Sequence, residues 1–334
     1  MSAISDPAGD PTPSETARPD GPACPVPQSS DLHPALAEVL LGYTKGFEAK
    51  QPLILESDDA EALHDYRVAM RKIRSLIDAF ATDLPHEEAE WASSAFAYVG
   101  TLTGPVRDLD IMLGRLEQLE TRLPSNLRAG VVVVAEDLIE ERTAARERLR
   151  DSLSSEAYGQ SLMRWHRFID QLAKGTHERP RVPLNPAIAA RVSKARDRVL
   201  KAGQKIADDS PAEALHTLRK RCKRLRYLLE AFGDRVVPER TAKKQVRRLK
   251  RLQDGLGSFQ DLAIQNECIR QAADRLGRRS DTTTGLLAAG ALIALLTQEQ
   301  SGLRTTLIGR YKRFAKAGAK GWAKWAAVAP RHTD

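Results

Sequence analysis

Two rows of cations, each led by a histidine, are the residues of this sequence best suited to chemistry. Each row continues with basic residues at the third, seventh and tenth positions after the histidine. These spacings place a row on one face of a helix, with neighbours about one turn, or ~5.4 Å, apart. Adjacent like charges destabilise a helix unless something neutralises them, so the rows predict contact with an extended anion or with carboxylates of neighbouring helices. The rows are His64, Arg67, Arg71 and Arg74, and His216, Arg219, Lys223 and Arg226.

The rows belong to a segment that occurs twice, because residues 61–80 recur as residues 213–232 at an offset of 152. Two later segments also recur in the same order, 102–109 as 255–262 and 164–168 as 310–314. This order indicates an internal duplication of a helical bundle. In both copies the apolar residues fall on a separate face, which we predict to be core. They are Tyr66, Met70, Ile73, Ile77 and Phe80, and Leu218, Cys222, Leu225, Leu229 and Phe232.

The apolar spacing is helical almost everywhere after His33, and it predicts an all-α fold of two tandem helical bundles without a sheet. We expect Asp58 and Ser210 to cap the two repeated helices, since each precedes an acid by three residues. Prolines mark the boundaries. The predicted divisions are a disordered, Pro-rich leader at 1–30, a first half at 31–176, a linker at 177–186, a second half at 187–326 and a tail at 327–334.

The charge of the chain is strongly asymmetric. The net charge of +8 combines −3 in residues 1–30, −7 in residues 31–182 and +18 in residues 183–334. Such a field favours polyanions or anionic membranes as partners. The longest apolar stretch, Gly285–Leu296, is shorter than the about 20 residues that span a bilayer, and no signal-peptide pattern precedes the first half. With three cysteines and no CxxC pair, we expect a cytoplasmic protein without structural zinc, disulfides or a membrane partner.

The second copy carries the larger share of the cations. Its next predicted helix has basic residues along one side, for which a solvated helix face is the plain alternative. Two adjacent antiparallel helices that both present cations favour a basic groove instead. The cations of that helix are Lys243, Lys244, Arg247, Arg248, Lys250 and Arg251.

Metal-dependent chemistry is disfavoured. The His64-Asp65 dipeptide resembles a metal phosphohydrolase motif, but the second copy has Thr217 in place of the aspartate. Two acids at i and i+2, as in Asp108 and Asp110, point to different sides of a helix. We therefore expect Asp108 and its counterpart Asp261 to contact arginines or a helix N-terminus, and we predict no cofactor and no metal. The preceding glycines, Gly104 and Gly257, predict a helix break or a close helix crossing.

The repeated motifs resemble those of the CHAD family, the conserved-histidine α-helical domains, from about residue 33 to residue 324. The resemblance rests on Glu-Ala-Leu-His at 61–64 and 213–216, the basic residues that follow, the Leu-Gly-x-x-x-Asp elements, and the closing segment 310–316. It implies two helical bundles around a basic channel that binds inorganic polyphosphate without hydrolysing it. It also implies association with polyphosphate granules and with other granule proteins.

The resemblance identifies the expected polyphosphate ligands. Beside the two rows it adds Lys72, Lys220 and Arg224, which border the same groove, and the basic residues of the following helix. The full expected set is His64, Arg67, Arg71, Lys72, Arg74, His216, Arg219, Lys220, Lys223, Arg224, Arg226, Lys243, Lys244, Arg247, Arg248 and Arg251. Lys316, Lys320 and Lys324 are candidates to extend the site.

Two other functions remain as alternatives. A nucleic-acid-binding protein would also use basic helices, but the sequence has 5% aromatic residues and none of the usual recognition motifs, so nucleic acid is disfavoured as a partner. An enzyme acting on polyphosphate would need carboxylates grouped near the cations. We therefore expect a protein that is not an enzyme.

Overall fold

The protein is all-helical, as the apolar spacing predicts. The computed structural model describes residues 30–175, 182–207 and 209–326. These residues contain no strand, only an isolated bridge between Asp31 and Pro183. The predicted tail, the leader up to residue 29 and linker residues 177–181 lie outside the described residues. The helices are α1 (Leu32–Glu48), α2 (Gln51–Glu56), α3 (Ala60–Phe80), α4 (His86–Glu120), α5 (Ser125–Leu153), α6 (Glu156–Lys174), α7 (Leu184–Gly203), α8 (Ala212–Val236), α9 (Glu239–Leu276) and α10 (Thr283–Ala326).

Helix α3 carries the first row of cations. Its N-cap is Asp59, whose carboxylate accepts hydrogen bonds from the backbone N–H groups of Glu61 at 2.8 Å and Ala62 at 3.0 Å. The prediction of Asp58 as the cap was wrong by one residue, because the Asp58 carboxylate instead forms ion pairs with arginines of α5, including Arg142 at 3.5 Å. The predicted apolar face of α3 is buried, which fixes the opposite, cationic side at the edge of the core.

Helix α8 carries the second row and buries the matching apolar face. The predicted cap was again wrong. Pro211 is the N-cap residue, and the Ser210 hydroxyl accepts a hydrogen bond from the Ala207 N–H at 2.8 Å in the preceding turn. A proline at this position fits a helix start, since its missing N–H would have had no partner within the helix.

Helices α4 and α9 lie beside α3 and α8 and complete the surroundings of the two rows. They run without a break past Gly104 and Gly257, and a Cβ atom at position 257 would meet nothing within 4 Å, so neither the helix break nor the close crossing predicted for these glycines is found. Single glycines lower helix stability by only about 1 kcal/mol, which long packed helices tolerate. A Cβ atom at position 104 would lie 3.6 Å from Nη1 of Arg67, an ordinary contact.

The two halves make reciprocal contacts at equivalent positions. The Leu32 N–H donates to the Val182 carbonyl and the Leu184 N–H donates to the Ser30 carbonyl, both at 2.9 Å. Residues 32 and 184, and 30 and 182, are each 152 positions apart. Such exchange is expected where two copies face each other across an approximate two-fold axis. The internal duplication itself stays a prediction from the sequence.

Helix α10 has an apolar N-terminal part. By length and composition, Thr283–Lys316 is the one segment of the described residues that could cross a membrane, with a mean hydropathy of 1.2. The expectation of no such segment considered only Gly285–Leu296. A core helix of a globular protein meets the same criteria, although only 22% of the apolar window is buried, with Ala288, Leu292 and Leu296 among the fully buried residues. The finding is therefore weak evidence for a membrane span.

Candidate functional site

The two cation rows converge where α3 and α8 come together. Burial lowers the pKa of Lys223 well below its usual value, and the charges of Arg71, Arg219 and Arg226 lower it further. Arg71 belongs to α3, whereas Lys223, Arg219 and Arg226 belong to α8. The positive charge that acts on Lys223 therefore comes from both halves. Burial also lowers the pKa of Arg219, and Arg71 contributes across the same interface. Arg67 of α3 and Arg107 of α4 adjoin these residues. We call all six the central cluster, which comprises Arg67, Arg71, Arg107, Arg219, Lys223 and Arg226.

Arg67 is held in place by α4. Its Nη1 donates a hydrogen bond to the Thr103 hydroxyl at 2.8 Å. Burial and the neighbouring charge of Arg71 lower its pKa to about 10, while Asp108 opposes the shift. Burial, the larger cause, disfavours the charged guanidinium, and an anion bound in the central cluster would favour it again.

Arg107 joins the cluster from α4, although the sequence analysis did not select it. Its charge acts on both Arg67 and His64. The Nε atoms of Arg71 and Arg107 are buried without a hydrogen-bond partner among the described residues. Arg107 falls outside the helical row, so only the packing of α4 against α3 reveals its role.

The two histidines lie at the start of the rows in different surroundings. Burial lowers the pKa of His64, and the charges of Arg107 and Arg71 add to that effect. The His216 Nδ1 atom lies 2.6 Å from Oε1 of Gln260. Because that amide oxygen can only accept, Nδ1 carries a proton and donates it. His216 can then donate a second hydrogen bond to an anion from Nε2 only when the ring is protonated.

Asp108 and Asp261 place negative charge beside the cations. Burial raises the pKa of Asp108 and the Asp261 carboxylate raises it further, whereas Arg67, Arg107 and Arg71 oppose the change. Asp261 also lies 3.8 Å from Nη2 of Arg219. These aspartates adjoin arginines, as the sequence predicts. They offset only part of the positive charge of the central cluster.

Two predicted ligands serve the contact between the halves. Lys72 is 4% exposed, and its Nζ lies 3.5 Å from the Glu230 carboxylate and over the ring of Tyr43. Arg226 is 8% exposed, and its Nε lies 3.3 Å from the same carboxylate. Glu230 thus joins a cation of α3 to a cation of α8. Lys72 lies within the core and is not placed to meet a ligand.

Three other predicted ligands, Arg74, Lys220 and Arg224, are exposed. Arg224 donates to the Asp78 carboxylate at 3.1 Å, an ion pair equivalent to Lys72–Glu230 at the 152-residue offset. Arg74 and Lys220 lie at the surface. The structure therefore does not bring these three side chains into the central cluster.

The cations of α9 form a second concentration of charge. Lys243 pairs with Glu239 one turn earlier, at 2.5 Å. Lys244, Arg247, Arg248 and Arg251 instead line a cavity of about 1000 Å³ between α9 and α10. We call this cavity the α9–α10 groove. Its α10 side presents Arg310, Arg313 and Lys316, of which only Lys316 was a sequence candidate; the side chains of Lys320 and Lys324 are not described.

A metal site is not evident in the described part of the chain, where no three His, Cys, Asp or Glu side chains are grouped to hold an ion. The Asp65 carboxylate of the His64-Asp65 dipeptide lies 3.2 Å from Nζ of Lys50 and is engaged in that ion pair. The Asp110 carboxylate pairs with Arg142 of α5 at 2.6 Å and is engaged in that ion pair.

Fold and site define an all-helical protein in which cations of two equivalent helices converge between its halves. The model of the CHAD domain matches residues 38–270. The chain belongs to the CHAD domain family, as its repeated motifs predict.

Curated relatives cover a similar part of the chain. Two uncharacterized proteins of Mycobacterium tuberculosis, MT2285 and Rv2226, are each 29% identical over 279 residues, or 79% of this chain. The alignment spans 50% of the length of each relative.

Solved structures share the fold. The crystal structure of the CHAD domain from the plant Ricinus communis superposes with a TM-score of 0.73 at 19% identity, covering 87% of this chain and 96% of that one. The structure of PptA from Streptomyces chartreusis gives a TM-score of 0.62 at 21% identity, covering 85% of this chain and 100% of that one. At these identities the likeness concerns the fold alone.

Proposed function

We propose that the protein binds inorganic polyphosphate in the central cluster and does not hydrolyse it. The observation that carries the proposal is the convergence of Arg71 from α3 with Arg219 and Lys223 from α8, where burial and then the charges of the arginines lower the pKa of the lysine. Among the charges that act on Lys223, those of three arginines are opposed by the one carboxylate of Asp261, so positive charge predominates at this point. A polyanion is the partner that this arrangement favours.

The shape of the site favours a linear anion. Each row, from His64 to Arg74 and from His216 to Arg226, extends about 15 Å along its helix, since ten residues rise ~1.5 Å each. Arginine guanidinium groups can contact two phosphate oxygens at once, and lysine adds a point charge. A chain of phosphates lying between α3 and α8 would meet the cations of both rows that join the central cluster, whereas Arg74 lies at the surface.

The family supports the proposal in a second way, since the CHAD resemblance implies polyphosphate binding without hydrolysis. It further implies a cytoplasmic protein at polyphosphate granules, in contact with other granule proteins. In this role the protein would act through binding alone.

A titration with competitors tests the class of function. Wild-type protein is titrated with long-chain polyphosphate at low salt, then with tRNA and duplex DNA at equal phosphate concentration. We expect polyphosphate to bind, its affinity to fall steeply with added salt, and the nucleic acids to displace it poorly. Efficient displacement by nucleic acid would contradict the proposal in favour of a nucleic-acid-binding protein.

The absence of hydrolysis is tested separately. Purified protein is incubated with polyphosphate and Mg²⁺, and free phosphate is measured over hours. We expect no release above a protein-free control. Release that disappears in an Asp108→Asn or Asp261→Asn variant would instead identify a phosphohydrolase.

A further inference from the structure

Helix α7 carries exposed cations that belong neither to the central cluster nor to the α9–α10 groove. Their spacing of four, seven and eleven residues after the first places them along one face. The other side of the helix is core, where Val192 and Val199 are fully buried. We call this surface the α7 cationic face, which comprises Lys194, Arg198 and Lys201 on the helix and Lys205 in the turn after it.

The described part of the chain supplies no ion pair to this face. No carboxylate among the described residues pairs with any of its four side chains. Asp197 is the acid of α7, and its carboxylate accepts two hydrogen bonds from Arg196, at 2.7 and 2.9 Å. The four cations repel one another, and a negatively charged partner would relieve that repulsion.

The first half shows that folding does not require these cations. Helix α1 corresponds to α7 at the offset of 152 that relates Leu32 to Leu184. At that offset the α7 cationic face corresponds to uncharged residues, namely Gly42, Gly46, Ala49 and Leu53. The charge is therefore specific to the second half, which favours a role in binding.

The leader joins the described part of the chain at the N-terminus of α7. The Ser30 carbonyl accepts a hydrogen bond from the Leu184 N–H at 2.9 Å, and Asp31 forms a bridge with Pro183. From Leu184 the α7 cationic face extends between about 15 and 30 Å along the chain direction of the helix. Ten residues of extended chain span up to ~33 Å, so an acid ten or more residues before Ser30 can reach the whole face.

The leader matches the face in charge and in the positions of its acids. Residues 1–30 contain four acids and one arginine, which gives a net charge of −3. Each acid lies ten or more residues before Ser30. Single exposed ion pairs contribute little to binding, so several acids must act together. The seven prolines restrict backbone dihedral angles, which lowers the conformational entropy lost when the segment is ordered. The acids are Asp6, Asp10, Glu15 and Asp20.

We propose that the acidic leader docks on the α7 cationic face of its own chain. The acidic first half of a second copy is the other negatively charged partner that the molecule offers, since residues 31–182 carry a net charge of −7. A tethered segment meets its site at an effective concentration on the order of millimolar, well above a second copy at micromolar concentration. Tethering therefore favours the leader. A docked leader neutralises a surface that would otherwise attract polyanions without selecting among them.

Carbodiimide cross-linking of the full chain tests this contact, because the reagent joins a carboxylate to an amine that lies against it. Unlabelled and isotope-labelled protein are mixed, cross-linked at low salt and at about 0.5 M salt, and digested for mass spectrometry. Cross-linked peptides of mixed isotope composition report contacts between copies. Lys45 is the matched reference amine, since it is exposed and lies about 20 Å along α1 from the residue that follows the leader.

We expect the leader acids to join Lys194, Lys201 and Lys205 of the same chain at least about fivefold more often than Lys45 at low salt, and about equally at high salt. Arg198→Gln removes a cation of the face but no reactive amine, and it should lower these cross-links about threefold. Arg167→Gln, which removes an exposed arginine of the first half, should leave them unchanged. Circular dichroism checks that both variants keep the helix content of wild type.

Three results would overturn the proposal. Cross-links mainly of mixed isotope composition would identify a second copy as the partner. Leader cross-links that are absent, or that are as frequent at Lys45 as on α7, would show that the leader does not dock there. Cross-links that Arg198→Gln leaves unchanged would show that the cations of the face do not hold it. None of these results depends on whether the central cluster binds polyphosphate.

Discussion

The rings of Phe80 and Phe232 meet edge to face with their centroids 5.9 Å apart, and the two residues are 152 positions apart in the chain. Each therefore contacts its own counterpart in the other copy. Beside them, Lys72 pairs with Glu230 and Arg224 with Asp78, which are also equivalent pairs. This contact between α3 and α8 brings the two rows of cations together, so the same interface that joins the halves forms the central cluster.

Loss of either ring should destabilise the protein strongly. Phe80→Ala and Phe232→Ala each remove a fully buried aromatic ring, at an expected cost of about 4 kcal/mol in the free energy of unfolding. Because the two rings touch, the double variant should cost less than the sum, by about 1 kcal/mol. Urea unfolding of the four proteins measures both quantities. Strict additivity would show that the rings do not depend on each other.

Glu230 should matter more for folding than Lys72 does. Glu230→Gln removes the carboxylate that Lys72 and Arg226 share, at an expected cost of about 3 kcal/mol, because removing one partner of a buried ion pair is strongly destabilising. Lys72→Met leaves Glu230 paired with Arg226 and should cost clearly less. Lys72→Met should also keep the affinity for polyphosphate within about twofold of wild type, whereas a Lys72 that served as a ligand would give a large loss.

His64 should make folding stability depend on pH. Its pKa is lower in the folded protein than its ordinary value of 6.5, so the unfolded chain binds more protons as the pH falls. The stability that the neutral ring contributes is present above pH 6.5 and is lost as the pH falls through the folded-state pKa. The free energy of unfolding, measured with urea, should therefore fall more between pH 7.5 and pH 5.5 for wild type than for His64→Gln. Equal losses would contradict this assignment.

Bound polyphosphate should reverse the shift at His64. The phosphate charges oppose those of Arg71 and Arg107, so they raise the pKa of the ring and binding takes up a proton. Calorimetric titrations at pH 6 in buffers of different ionisation enthalpy measure that uptake. We expect less uptake for His64→Gln, and unchanged uptake would place the proton elsewhere.

Asp108 should weaken polyphosphate binding at neutral pH. Asp108→Asn removes a negative charge beside the central cluster, which should tighten binding by about 1 kcal/mol, or about fivefold, at pH 7.5. The pKa of Asp108 is raised above its usual 3.8, so the difference between variant and wild type should shrink as the pH falls through that raised value. A weaker-binding variant would instead mean that Asp108 orients Arg67.

The sequence predicts the helices and their core faces well, because a buried face is recorded in the spacing of apolar residues. Tyr66, Ile73, Leu225 and Phe232 are all buried as expected. Two helix caps were misplaced by one residue, since the choice between adjacent candidates such as Asp58 and Asp59 depends on contacts with another helix.

The candidate site could be predicted only in outline. The spacing of cations along a helix indicates the direction in which their side chains point. It does not show which carboxylates of other helices lie close to them. Glu230 is separated from Lys72 by 158 positions and still pairs with it, and Arg107 joins the cluster from α4. Likewise, nothing in the spacing on α9 alone shows that Arg310 lies across it at Gly255.

The central claim is that polyphosphate binds between α3 and α8, and a calorimetric titration of one double variant tests it most directly. Arg71→Gln with Lys223→Gln removes one cation of the central cluster from each half. Its control, Arg221→Gln, lies on the same helix about 160° round from Lys223, where the side chain donates to the Arg198 carbonyl at 3.2 Å. We predict that the double variant stays folded and binds polyphosphate about 100-fold more weakly, while the control binds as wild type does. A folded double variant with wild-type affinity would contradict the account.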